Sequence, residues 1–345
     1  MTVLSDAPAQ LIAANGQVAF GRFNDSVADI NGRRADYRTP MGKKAPRLKR
    51  HFDYKQFQYF GIISDDLLAG CALADTAWMA IAFFYTFTPS TGELKEYTWR
   101  SPLGRGLQMS TSPCQGMSRF KHRDVAIEMG YATTPQGRVK TLRVQADGVD
   151  LDAELLEGND YQPMSLCTRT GVNGWVYANK VAGVPVAGQV TIDQQRHDLG
   201  TLNACGHHDF SAGYMRRETF WNWACLSSVI DGDQVGFNLS CGVNETSYSE
   251  NCVWLNNACH AVGGVAFDYD RDDLMQDWRI TSQCGAVSLT FTPQGNHKEH
   301  LNVGVFASNF NQLFGHFSGT VQLKDGSTLT VKEKPGFVEE QYSKW

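Results

Sequence analysis

The 345-residue sequence shows almost no helical period: no long stretch repeats apolar residues at the i, i+3, i+4 spacing of an amphipathic helix. Long apolar runs are also missing. Nowhere do about 18 apolar residues follow one another, so the pattern excludes a membrane-spanning helix. Met1–Gln17 lacks the basic start and apolar run of an export signal. Positive charge is in deficit, with 31 Lys and Arg against 36 Asp and Glu for a formal net charge of -5. Such a balance gives no general surface for displacing counterions from phosphates, so nucleic acid is not an expected partner. The nine cysteines are odd in number and follow no export signal, which predicts reduced thiols and a cytoplasmic setting.

Familiar chemical templates are absent too. Cys205, His207 and His208 lie close, with His260 farther on, but neither C-x-x-C nor H-E-x-x-H occurs and no metal is expected. Asp268, Asp270 and Asp272 open like a calcium loop, yet Asp273 and Arg279 stand where that loop needs Gly and Glu. Gly104-Arg-Gly106 lacks the spacing of a dinucleotide loop. Ser240-Cys-Gly242 is preceded by Asn238 where a nucleophile elbow needs Gly. No cofactor is expected.

What the sequence does contain is a succession of short apolar runs closed by turn residues. Examples are Ala126–Thr133 before Pro135-Gln136-Gly137, Val139–Gln145 before Asp147-Gly148, and Leu151–Leu156 before Gly158-Asn159-Asp160. A strand about every ten residues predicts an all-β protein, a sandwich or barrel, and similar strand numbers in two halves point to a tandem of antiparallel barrels. The expected division is an irregular basic segment over 1–50, a first barrel over 51–180 and a second over 181–345 that carries the main motifs. In the first segment Arg33, Arg34, Arg38, Lys43, Lys44, Arg47, Lys49 and Arg50 crowd together. They read as a solvated strap, with peripheral contact to an anionic membrane through residues 33–50 as the functional alternative.

The densest chemistry lies in Gly206–Ala224, which gathers two histidines, an aspartate, two arginines and two tryptophans. From Arg217 the chain steps by two through Thr219, Trp221 and Trp223, so a strand sets a guanidinium and two indoles on one face. Aromatic walls with one strong donor suit a pocket for a mostly apolar molecule held by a polar end. A sheet core with a structural ion pair is the competing reading. His207, His208 and Asp209 precede that strand and are expected at a barrel mouth, where at most one histidine faces the pocket, and Asp209 or His208 is the candidate that moves the proton. Asn238 and Ser240 alternate onto one face of the next strand as candidate donors. Glu245 and Glu250 are candidate partners of Arg216 or Arg217, or a second acid.

Gly206–Ala224, Gly236–Thr246, Gly336–Trp345 and Tyr59–Asp66 together resemble the domain-of-unknown-function family 2804. The resemblance implies two lipocalin-like barrels, an architecture similar to carotenoid hydratases and to enzymes that cyclise or isomerise isoprenoid and polyketide skeletons. Two functions follow as expectations. One is cofactor-free acid–base chemistry, as an isomerase, hydratase or dehydratase, on a hydrophobic lipid or isoprenoid-like substrate. The other is a non-catalytic intracellular carrier or sensor of a hydrophobic ligand.

Overall fold

The computed structural model describes residues 4–243, 246–304 and 306–345. Strands occupy 63% of the chain and helix 3%, which settles the all-β class. Two curled, antiparallel sheets form lipocalin-like half-barrels in tandem.

The first sheet runs in space from Glu93–Pro102 through Met79–Thr88, Leu68–Asp75 and Tyr54–Ile63 to Cys205–Tyr214, then through Gly174–Ile192 and Val149–Leu156 to the hairpins of residues 117–146. The second is built around Asp233–Cys241, Glu218–Ile230, Thr328–Lys344, Ala307–Gln322 and Val287–Asn302, each paired with the next. Period-two patterning explains why these residues are strands. In Val149–Leu156, buried Leu151, Ala153 and Leu155 alternate with exposed Asp150, Asp152 and Glu154. Gly148 at φ 73 closes the turn that begins this strand.

The chain passes between sheets at 215–217, not at 180. A division at 180 cuts the Gly174–Ile192 strand, and Cys205–Tyr214 pairs with Tyr54–Ile63 in the first sheet. Asn179 and Lys180 therefore sit mid-strand, paired with Ser165 and Met164 on one side and with Phe210 and Asp209 on the other. The first 50 residues are more than a strap. Leu11, Ile12, Phe23, Val27 and Ile30 are buried beneath the first sheet against Trp175, Tyr177 and Phe210, and Gly21–Phe23 pairs with Met164–Thr170. Arg22 is buried with them, while Arg33, Arg34, Arg38, Lys43, Lys44, Arg47 and Lys49 of the basic cluster stay exposed and Arg50 is half-buried.

The halves are joined backbone to backbone. A bulge between Val181 and Val184 pushes Gly183 out of the ladder at φ 71, and it meets Gly236 of the second sheet. Ser227 accepts the Gly183 N–H at 3.0 Å and donates to the Gly206 carbonyl at 3.1 Å, so one hydroxyl bridges both sheets.

A candidate active site between the two sheets

Along Glu218–Ile230 the pleat divides the side chains. Ala224 and Leu226 enter the core of the second half, while Trp223 and Cys225 face the first sheet and pack with Tyr59 and Phe337. The aromatic face therefore looks out of its own half-barrel, towards the neighbouring sheet. Between the sheets lies a cavity of about 200 Å³. Its walls include Phe57 and Phe83 from the first sheet and Trp221, Trp223 and Phe310 from the second.

The polar part of this cavity is a buried charge cluster. Lys180 comes from Gly174–Ile192, Asp209 from Cys205–Tyr214, Glu250 from the loop before Cys252 and Glu339 from Thr328–Lys344. All four are nearly inaccessible, at 4–6% exposure. Lys180 forms a tight ion pair with Asp209, lies 3.8 Å from Glu250, and stands 4.9 Å from the centre of the Trp223 ring. Ser211 donates to Asp209 at 3.1 Å. Glu339 accepts from Gln312 at 2.7 Å and from the Trp221 indole at 3.4 Å.

Burial away from water favours the protonated forms of Asp209 and Glu339. Burial raises Glu339 to about 8, and nearby Asp209 adds to the rise, while Trp221 and Lys180 oppose it. Burial also raises Asp209, against the pull of Lys180. Burial disfavours the Lys180 ammonium, but Asp209 and Glu250 outweigh this and hold it above the usual lysine value. At neutral pH the site thus presents a mostly protonated Glu339 beside the Lys180–Asp209 pair.

The structure places the sequence-predicted residues unequally. Asp209, Trp221, Trp223 and Ser240 line the cavity. Asn238 lies behind it, accepting the Trp223 indole N–H at 2.7 Å and donating to the Glu250 carbonyl at 3.2 Å, so it orients Trp223. Arg217 precedes the strand, is exposed, and donates to the Trp345 carbonyl at 3.2 Å on the cavity rim. It does not form part of the buried wall. The ion-pair partner of Glu250 within the cluster is Lys180. Glu245 lies outside the described residues.

His207, His208 and Asp209 do not precede a strand; they lie inside one, and the pleat separates them. Asp209 faces the cavity, so His208 points the other way, into the first half, with its Nε2 3.2 Å from the Tyr131 hydroxyl. Burial, with Lys140 next, holds His208 well below the ordinary histidine value. It is neutral and remote from the cavity, and cannot be the partner of Asp209 in proton transfer. His207 is on the cavity side but sits in aromatic packing, 5.3 Å from Tyr59 and 5.1 Å from Phe337 between ring centres. Gly61 makes this possible, since a Cβ there would fall 1.9 Å from the His207 ring. Burial and then Lys180 lower His207 to about 3.

Sequence reasoning missed Lys180 and Glu339. For Lys180 a signal exists: a lone cation within the apolar run Trp175–Val186. For Glu339 there is none that separates it from its neighbour. Glu340 faces the opposite way and accepts from Tyr269 and Arg271 at 2.5 and 3.1 Å.

An all-β tandem of lipocalin-like halves with its cavity between the sheets defines the class of this protein. The chain belongs to the domain of unknown function family DUF2804, whose profile matches residues 4–345. A search of curated proteins finds no match. Among solved structures, an AttH-like protein from Nitrosomonas europaea is similar at a TM-score of 0.50 and 12% identity, covering 84% of this chain and 92% of its own. CghA, crystallised with Sch210972, matches at 0.50 and 10%, covering 84% and 88%. Kievitone hydratase from Nectria haematococca matches at 0.48 and 10%, covering 94% and 98%. At these identities the AttH-like protein and CghA show a shared fold.

Proposed function

We propose that the protein is an acid–base enzyme of the isomerase, hydratase or dehydratase type, acting on an apolar lipid or isoprenoid-like molecule in the inter-sheet cavity. The observation that carries this reading is the Glu339 carboxyl, buried beside the Lys180–Asp209 pair in an aromatic-walled cavity, where burial raises it to about 8. A purely structural ion pair needs no extra carboxyl held in its acid form, whereas a general acid working at neutral pH does. At fold level, CghA has been crystallised with Sch210972, which adds an example of this architecture with an organic ligand.

In an isomerisation Asp209 removes a proton from carbon next to a double bond or carbonyl, and Glu339 delivers one to the far end of the conjugated system. Proton transfer through solvent restores both. In a hydration Asp209 takes a proton from water as its oxygen bonds to one alkene carbon, and Glu339 protonates the other; dehydration is the reverse. Lys180 keeps Asp209 able to accept by favouring its charged form. Ser240 offers a hydroxyl to a polar group of the substrate.

The test begins with mass spectrometry of organic extracts from gently purified protein, to identify the retained molecule. That compound is then incubated with the protein in deuterium oxide. Deuterium in carbon-bound positions, lost by about a hundredfold or more in Glu339→Gln with binding kept, is the expected result. Binding without exchange or conversion makes the protein a carrier instead.

A further inference from the structure

Residues 33–50 carry eight basic side chains and one acidic, Asp36, in a chain that is acidic overall. Some of these cations are internally paired: Arg33 lies 3.5 Å from Asp75, Arg38 2.7 Å from Asp36 and Lys49 2.6 Å from Asp53. Arg34, Lys43, Lys44 and Arg47 are exposed and have no carboxylate within ion-pair range among the described residues.

Apolar side chains stand exposed on the same segment. Met41, 87% exposed, occupies the tip of the turn that the Arg38–Lys44 bridge closes. Leu48, 72% exposed, is on the short helix Arg47–Asp53. Four residues on, along the same helix face, Phe52 stacks on the half-exposed Trp78 at 3.9 Å. The result is an apolar ridge, Leu48–Phe52–Trp78, beside unpaired cations.

We propose that this face docks on an anionic lipid surface, with the cations over lipid phosphates and Met41, Leu48 and Trp78 among the headgroups. A soluble polyanion offers phosphates but nothing to receive the apolar side chains, so the combination favours a bilayer. The cavity reaches this face. Lys55, on its wall, donates to the Phe52 carbonyl at 2.6 Å and to the Thr76 carbonyl at 2.8 Å, tying the helix and the Trp78 turn to the cavity rim. Docking thereby brings that end of the cavity to the membrane.

The test is co-sedimentation of the full chain with vesicles of phosphatidylcholine alone or mixed with phosphatidylserine. Binding to the mixed vesicles only is expected, with loss in 1 M salt, where the Debye length falls to about 3 Å. The Lys43→Ala, Lys44→Ala, Arg47→Ala triple variant should partition about a hundredfold less, or about fivefold for each charge removed. Leu48→Asp should weaken binding while leaving thermal unfolding unchanged, because its side chain is exposed. Equal partition onto both vesicle types, no partition of the wild type, or an unaffected triple variant would overturn the proposal. So would binding to heparin without binding to vesicles. No substrate is needed, so failure here leaves the acid–base reading standing.

Discussion

Gly183 and Gly236 meet backbone to backbone across the two sheets: a Cβ on Gly236 would lie 2.5 Å from the Gly183 nitrogen, and one on Gly183 would lie 2.7 Å from the Val235 carbonyl carbon. Rigid main chain stands on both sides, so an added methyl must separate the sheets. Gly236→Ala is expected to lower unfolding stability by about 1–3 kcal/mol, the usual cost of overpacking. The same separation should weaken ligand binding in the cavity. Denaturant midpoints and ligand titration check the two effects together, and an unchanged midpoint would mean that the joint is looser than described.

Lys180 is the one cation within ion-pair range of both Asp209 and Glu250 among the described residues. Lys180→Met removes the ammonium paired with the buried Asp209 carboxylate, so a loss of about 3–5 kcal/mol is expected at neutral pH. The deficit should shrink towards lower pH as Asp209, raised by burial, takes up a proton. Equilibrium unfolding at several pH values measures it.

Stability should have a maximum on the pH axis. Glu339, with an ordinary value of 4.5 and a folded value of about 8, binds more proton folded than unfolded between those limits, so its contribution falls as pH rises through that window. His207, lowered from 6.5 to about 3, and His208, also lowered, bind less proton folded, so theirs rises with pH up to about 6.5. The histidines oppose Glu339 below pH 6.5, and above it Glu339 acts without them. Denaturant unfolding of the wild type should therefore weaken from about pH 6.5 to 8 by roughly 1 kcal/mol per unit. Glu339→Gln should flatten that limb and leave the acid limb in place.

Trp221→Phe keeps an aromatic wall but removes the indole donor to Glu339. Losing a hydrogen bond to the charged form moves the Glu339 pKa further up. The descending limb of the pH–stability curve should shift to higher pH in this variant. Trp223→Ala acts differently, since Trp223 is 5% exposed and packs on Tyr59 and Phe337. It should cost about 3–5 kcal/mol by opening a void.

The fold is legible because strand patterning is local: pleat alternation and turn residues sit within about ten positions of each other. The same local rule finds the Thr219, Trp221 and Trp223 face, and it places Asp209 and His208 on opposite sides. It cannot say which half-barrel each face looks towards. The Trp223 face looks at the first sheet only because the bulge at Gly183 docks one half against the other, a contact across more than 50 residues of sequence. Glu339 is 130 residues from Asp209 and its environment comes from Gln312 and Trp221 on neighbouring strands. Nothing near it in sequence distinguishes it from Glu340. His208 misleads for a related reason, because a histidine beside an aspartate in the chain lies across the sheet from it in space.

Infrared difference spectroscopy of the carboxyl carbonyl stretch, titrated in wild type and Glu339→Gln, tests most directly whether a carboxylic acid is kept protonated at neutral pH in the inter-sheet cavity. A protonated-carboxyl band is expected in the wild type that persists at pH 7, titrates near pH 8 and is missing from the variant. A wild-type spectrum in which every carboxyl is ionised by pH 6, or a band near pH 8 that survives in Glu339→Gln, would contradict it.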